Sequence, residues 1–318
     1  MAMTHLDQEL VAPGERSDGQ WVDGATKRDL VDYLDTMSGR ILPALADRPL
    51  SVIRLLRGRE RFMQKNLPQG APDWIRTVTF HAERSGRDVR YALCDDRPTL
   101  LWFANQRAIE YHVPLTRART PERPEALVVD LDPPEGAGFD VVVAAATLVR
   151  AALDDAGLAA GVKTSGAKGV HIVVPLAEGT SHEDAAAATR ALTARAERLD
   201  PALATTAFIR DDREGKVFLD ATRAGGATVV SVYSPRLRPG LPVSFPVGWD
   251  DLDAVTPGDF TVHTVPGLLG DADPWAQRRP APQSLPEDLV AEGHTIPVAR
   301  VQAMHEGKRR AKARREKA

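Results

Sequence analysis

Apolar and polar positions recur with two distinct periods along this chain. Leu30, Tyr33, Leu34, Met37 and Ile41 return at three- and four-residue intervals, the spacing that lines one face of a helix. Thr26 and Asp29 stand where a capping box would open that helix, and Pro43 and Pro49 punctuate its end. Residues 74–80 and 88–94 predict two strands around the turn Ser85-Gly86-Arg87, and residues 99–111 predict a helix. Leu127-Val128-Val129-Asp130-Leu131-Asp132 predicts a strand stopped by Pro133-Pro134. A helix over about 140–156 follows, with Gly157 as its stop. Residues 158–176 predict two strands joined by Ser165-Gly166-Ala167-Lys168-Gly169. Ser181 and Asp184 open an alanine-rich helix that runs to about Arg198. Val217–Asp220 and Thr228–Tyr233 predict further strands. Residues 1–25 are polar with one short strand, and after Arg236 frequent prolines weaken the pattern. Strands and helices interleave throughout, so the expected fold class is mixed α/β.

Composition changes this picture little. The 318 residues are 43% hydrophobic and 27% charged, as in an ordinary globular protein with a sizeable core. Cys94 is the single cysteine, which excludes an internal disulfide and fits a reducing compartment. Met1 to Leu6 is not a charged head before an apolar run, so no signal peptide is expected. The apolar stretch around Val141–Leu148 is too short to cross a bilayer. The expectation is a cytoplasmic, nucleoid-associated location with no membrane partner.

Charge distribution matters more than the net charge of −3. Seven basic residues against Glu316 alone give residues 308–318 a charge of +6, leaving −9 on residues 1–307. A second basic strip is Arg54, Arg57, Arg59, Arg61 and Lys65. Screening confines each charge to roughly 8–10 Å, so a local strip can bind phosphates on an acidic protein. Both strips read equally well as solvated surface.

Three segments carry chemistry. Asp130 and Asp132 share one face of their strand, roughly 6–7 Å apart. Two carboxylates that close raise each other's pKa unless a cation lies between them, and hard cations such as Mg²⁺ or Mn²⁺ suit oxygen ligands. Asp132 before Pro133 also reads as a turn start, and Asp-x-Asp occurs in sugar-nucleotide glycosyltransferases. In Lys163-Thr164-Ser165-Gly166-Ala167-Lys168-Gly169-Val170-His171, the glycines permit a tight turn whose N–H groups, with Ser165 and Lys168, suit a triphosphate. His171 faces the same region. The bland alternative is a Gly-rich hairpin with an exposed lysine. Val217-Phe218-Leu219-Asp220 repeats the strand-then-Asp pattern and supplies a third carboxylate. Arg213, Lys216, Arg223, Arg236 and Arg238 surround it in sequence, suited either to phosphate oxygens or to surface ion pairs.

These segments, in this order, resemble the polymerase domain of bacterial ligase D, within the archaeo-eukaryotic primase superfamily. The resemblance also rests on Lys65-Asn66 with Gly70-Ala71-Pro72-Asp73-Trp74, on Leu93-Cys94-Asp95-Asp96, and on Glu110-Tyr111-His112. It extends through Asp130 to Pro134, Tyr233 to Gly240 and Pro246-Val247-Gly248-Trp249-Asp250, and covers roughly residues 5–275. It implies a primase-type fold, mixed sheets around a cleft flanked by helices, with residues 1–300 as one catalytic domain and 301–318 as a basic tail, helical or disordered. By motif match, Asp130, Asp132 and Asp220 would be catalytic metal ligands of a two-metal site holding Mn²⁺ or Mg²⁺. Ser165, Lys168, His171, Arg236, Arg213, Lys216 and His112 would hold the incoming NTP or dNTP. Lys27, Arg54, Phe62 and Lys65 would meet gapped or primer-template DNA.

The implied activity is template-dependent extension of a primer 3′-hydroxyl, with ribonucleotides preferred, to fill gaps in DNA repair. A ligase or an end-binding protein would be the repair partner. Departures from the pattern are Gln8-Glu9 after Asp7, and Phe62-Met63 where a stacking pair has two rings; a stand-alone polymerase without ligase or nuclease modules is the expectation. The rival readings are a metal-dependent glycosyltransferase and a DNA-end-binding module without catalysis.

Overall fold

A computed structural model describes residues 2–16, 19–56, 60–82, 86–225 and 227–298. Arg57, Arg59, the turn residue Ser85 and the tail 301–318 lie outside the described residues.

Two six-stranded sheets organise the fold. The first runs, in spatial order, Ala204–Thr205, Val217–Asp220, Ala126–Asp132, Val170–Pro175, Gly161–Thr164 and Pro246–Val247. Its neighbours are antiparallel except for the parallel first pair. The second runs Val229–Val230, Ala108–Val113, Pro49–Leu55, Arg87–Leu93 and Thr77–Ala82, with Arg61–Gln64 also paired to Pro49–Leu55. This is the mixed α/β architecture expected, and it sets the site on the first sheet.

Alternation along Ala126–Asp132 decides what each face carries. Leu127, Val129 and Leu131 are fully buried in the main core. Ala126 and Val128 face the other way, into a small apolar cluster with Val173 and Val229. Asp130 and Asp132 continue that second face. A slip of one residue would exchange the two sets, and each buried Val or Leu is worth about 1.5–3 kcal/mol, so the register is strongly held. Helices Phe139–Asp155 and His182–Leu199 pack on one another and on this sheet. The second helix buries Ala185, Ala188, Leu192 and Ala196, small residues that permit close approach.

The capping box at Thr26 and Asp29 opens helix Lys27–Thr36 as expected. Several expectations need correction. Pro43 lies inside a further helix, Ser38–Leu45, rather than at an end. Its ring forfeits one backbone hydrogen bond, which burial of Ile41 and Leu45 on the same helix offsets. Residues 99–111 are not one helix. Arg97–Asn105 is helical, Arg107 takes a left-handed conformation (φ 61°), and Ala108–Val113 leaves as a central strand. Of residues 228–233 only Val229–Val230 pairs as a strand. The basic strip around Arg54 and Arg61, read from charge alone, rides on an antiparallel hairpin.

Candidate active site

Strand register assembles the site. Lys163 pairs with His171, His171 with Asp130, and Asp130 with Asp220. Directly paired residues on one face have Cβ atoms about 4.5–5.5 Å apart, so four strands place four ionisable side chains in one row. Asp130 and Asp220, 90 positions apart in sequence, are thereby neighbours.

The row is closed by hydrogen bonds. The Lys163 ammonium, completely enclosed, donates to His171 Nδ1 at 2.8 Å, Ser244 Oγ at 2.5 Å and the Val230 carbonyl at 3.2 Å. These three acceptors use every donor of an ammonium. With Nδ1 accepting, the His171 proton is assigned to Nε2, which lies 3.2 Å from Asp130 Oδ1. Burial, then the Lys163 charge, pulls the His171 pKa down to about 4, so the ring is neutral at pH 7. Burial and the Arg236 charge pull Lys163 down to about 7.

Arg223 closes the other end. Its Nη2 lies 2.8 Å from Asp130 Oδ2 and 3.2 Å from Asp220 Oδ2, and its Nε donates to Asp130 Oδ2 at 3.0 Å. Asp220 Oδ1 accepts the Thr222 N–H at 2.8 Å. Burial opposes charge on Asp130, but His171 and Arg223 outweigh it and hold that carboxyl well below the usual range. Asp132 behaves oppositely. It reaches solvent, yet the cleft walls withdraw it from bulk water, and this desolvation, then the charges of Asp130 and Asp220, raises its carboxyl.

The acidic row opens into a cleft of about 1000 Å³. The rest of its lining is rich in cations: Lys168, Arg210, Arg213, Lys216, Arg236 and Arg238. Gly166 (φ +66°) and Gly169 shape the turn that presents Lys168. A Cβ on Gly169 would fall 1.9 Å from the Leu131 carbonyl oxygen, so the turn lies directly against the Asp130–Asp132 strand. Ser165 is part of this turn. Its Oγ accepts the Ala167 and Gly169 N–H groups at 3.2 and 3.1 Å, which uses two donors that the sequence offered to an anion. The hydroxyl proton remains to donate. Lys168 makes no ion pair among the described residues.

Arg236 is the rigid cation. Its Nη1 donates to the Ser165 carbonyl at 2.6 Å and its Nε to Glu110 Oε2 at 3.0 Å. Glu110 is buried; burial works against its charge, but His112, Arg236 and the Leu237 N–H hold its carboxyl down at about 2. His112 bonds Glu110 Oε2 at 2.9 Å and stands behind Arg236, outside the cleft lining. Arg213 stacks 3.7 Å over the Phe218 ring and donates to the Ala207 and Phe208 carbonyls. Lys216 reaches Glu214 at 3.2 Å.

The expected DNA contacts separate into two kinds. Phe62, 46% exposed, and Lys65 face solvent on the Arg54–Arg61 hairpin, which Arg61 ties to the cleft by donating to the Leu237 carbonyl at 2.8 Å. Arg54 is instead held by Gln64 at 2.8 Å. Lys27 is buried, its ammonium spent on the Thr4 carbonyl and Asn105 Oδ1 at 2.5 and 2.7 Å.

Three residues have structural weight that sequence reasoning did not give them: Lys163, Glu110 and Arg223. A hairpin centred on Ala167 puts position 163 opposite 171, a signal for Lys163 that was available. Glu110 and Arg223 bond residues 126 and 93 positions away, which no local pattern reveals.

Whether this cradle suits a divalent cation can be tested on its own atoms. Among the described residues, no three His, Cys, Asp or Glu side chains are gathered as an ion cage. A guanidinium instead spans Asp130 and Asp220, so the carboxylate pair already holds a cation. Asp132 adds an exposed oxygen donor that no hydrogen bond or ion pair engages among the described residues. The three carboxylates are the hard oxygen donors a divalent metal takes, and the guanidinium shows that a cation already sits between two of them.

Fold and cleft together define a nucleotidyltransferase of the primase-polymerase class. Residues 26–275 match the family described as LigD, primase-polymerase domain. The chain belongs to that family, whose polymerase domains are metal-dependent. It is 34% identical over 245 residues to the bifunctional non-homologous end joining protein LigD of Bacillus subtilis (strain 168), covering 76% of this chain and 39% of that one. It is 35% identical over 241 residues to the multifunctional non-homologous end joining DNA repair protein LigD of Mycobacterium tuberculosis (strain ATCC 25618 / H37Rv), covering 72% and 32%. The chain thus spans less than two-fifths of the length of these curated relatives. Among solved structures, the polymerase domain from Mycobacterium tuberculosis ligase D in complex with DNA superposes with a TM-score of 0.76 at 30% identity, covering 88% of this chain and 99% of that one. Membership in this family displaces both rival readings, the glycosyltransferase and the non-catalytic module. No helix among the described residues is long and apolar enough to cross a membrane.

Proposed function

We propose that this chain is a template-dependent polymerase that adds nucleotides, ribonucleotides preferentially, to a primer 3′-hydroxyl and fills short gaps in DNA repair. The observation that carries this reading is that Asp130 and Asp132 line a cleft whose lining also holds Lys168, Arg210, Arg213, Lys216, Arg236 and Arg238, with Asp220 paired to Asp130 on the next strand. Such a pairing suits a polyanion whose phosphorus must be brought beside an acidic centre. The end-joining names of the relatives support a place in strand-break repair at the nucleoid, with a ligase or an end-binding protein as partner.

In this reading Asp130, Asp132 and Asp220 would hold Mn²⁺ or Mg²⁺. Bound there, divalent ions supply Lewis-acid activation of the attacking hydroxyl and neutralise the departing pyrophosphate. The chain's own cations do the rest. Lys168, Arg213, Lys216 and Arg236 grip the triphosphate, and Ser165 donates its hydroxyl proton to it. Arg236 fixes the register of that grip, because Glu110 and the Ser165 carbonyl hold its guanidinium. Neutral His171 donates Nε2–H to Asp130 and so keeps that carboxylate ionised and oriented. His112 lies outside the cleft lining and bonds Glu110, the carboxylate that holds Arg236, so its part in the grip is indirect. On the DNA side, Phe62 stacks on a base and Lys65 meets backbone phosphate. Lys27 and Arg54 shape that surface from within, their cations being engaged by protein.

Primer extension on a gapped duplex tests the proposal, with NTPs or dNTPs and with Mn²⁺ or Mg²⁺. Template-directed, metal-dependent incorporation favouring NTPs is the expected result. Absence of incorporation with every metal would overturn it, and equal use of dNTPs would remove the ribonucleotide preference.

A further inference from the structure

Every oxygen of the two buried carboxylates is engaged. Asp130 Oδ1 meets His171 Nε2, and Asp130 Oδ2 meets Arg223. Asp220 Oδ1 takes the Thr222 N–H, and Asp220 Oδ2 meets Arg223. Two of those four positions therefore belong to a single guanidinium. Asp132, by contrast, makes no hydrogen bond or ion pair with the described residues.

The consequences for a divalent cation follow from these contacts. A cation entering from the cleft meets Asp132 first, because that carboxylate is exposed where Asp130 and Asp220 are buried. To gain Asp130 Oδ2 or Asp220 Oδ2 as well, it must take them from Arg223. The exchange is physically open. The Arg223 side chain is 29% accessible, against 10% and 8% for its two partners, and Arg223 itself lines the cleft. It sits on a short turn, Thr222–Gly225, outside the sheet ladder, so its side chain can leave without breaking strand pairing.

We propose that Arg223 is a built-in counter-cation of the acidic site. It neutralises Asp130 and Asp220 while no metal is bound, and metal loading displaces it. Arg223 is then a positioning residue with two effects. It keeps the carboxylate pair from repelling, which preserves the strand register in the metal-free protein. It also competes with metal, which raises the metal concentration needed to fill the site. The proposal rests on the reading of Asp130, Asp132 and Asp220 as metal ligands.

Calorimetric titration of metal-stripped protein with MnCl₂ tests it, without recourse to activity. The proteins compared are wild type, Arg223→Gln, Arg223→Lys and Asp132→Ala. Arg223→Gln is expected to bind Mn²⁺ about tenfold tighter than wild type, since a charged hydrogen-bonded competitor is gone. Its unfolding midpoint is expected to fall below that of wild type in EDTA and to recover to the wild-type value in saturating Mn²⁺. Arg223→Lys keeps the charge but loses the fork, and should bind about threefold tighter. That variant carries the test alone if the glutamine variant does not fold. Unchanged or weaker Mn²⁺ binding by the folded variants, with wild type binding normally and Asp132→Ala binding poorly, overturns the role of Arg223 and spares the metal site. Absence of Mn²⁺ binding in every protein removes both.

Discussion

The acidic row and the cations that line the cleft, its acidic and cationic walls, are built on opposite physical terms. On the acidic wall, Lys163, His171, Asp130, Arg223 and Asp220 form an unbroken chain of contacts across four strands, nearly all of it buried. On the cationic wall, Lys168 makes no ion pair among the described residues and Lys216 meets only a neighbour in sequence, whereas Arg213 and Arg236 are held by protein contacts. A buried charge without partners costs several kcal/mol, so the acidic wall must be complete before any ligand arrives. Half-exposed lysines carry no such requirement and can take their geometry from the substrate. Asp132 is the exception on its own wall: acidic, but unpartnered and open.

That contrast can be broken most sharply at Asp132. Asp132→Ala is expected to reduce primer extension by at least about a thousandfold, because a carboxylate presented to the reacting phosphate is lost. Its unfolding midpoint in EDTA should hold or rise, since desolvation and then repulsion from Asp130 and Asp220 disfavour the charged Asp132 carboxyl. A collapse of stability would make Asp132 a structural member of the row instead. Next in size is Lys163→Met, which fills the volume but strands His171 Nδ1, Ser244 Oγ and the Val230 carbonyl. A loss of about 2–4 kcal/mol in urea unfolding is expected; a loss below about 0.5 kcal/mol would show that the row does not need its lysine. Smallest is Lys168→Ala, expected to raise KM for nucleotide about tenfold while shifting the unfolding midpoint by less than about 2 °C. An unchanged KM would take Lys168 out of the cationic wall.

The elements that position the acidic wall were legible in the sequence because they depend on local alternation. Ala126–Asp132, the hairpin around Ala167 and the two long helices each state their period within a few residues. The helix expected across 99–111 failed for a local reason of another kind. A left-handed Arg107 turns the chain, and apolar spacing carries no mark of a residue whose φ is 61°. The strand beyond it holds Glu110, whose partner Arg236 is 126 positions away, so a buried carboxylate passed as an ordinary polar position. Lys27 shows the converse. Motif matching identified it as a cation that would meet DNA, whereas its ammonium is engaged by Thr4 and Asn105, contacts that are tertiary.

The hydrogen that stands in for a side chain at Gly169 has a mechanical result. With the Leu131 carbonyl occupying the space where a Cβ would go, the Lys168 turn and the aspartate strand are in contact through backbone alone. No rotamer can absorb a displacement there. On the proposed function, a nucleotide that pulls on Lys168 tugs the Asp130–Asp132 backbone with it, and grip on the phosphates becomes alignment at the reacting end.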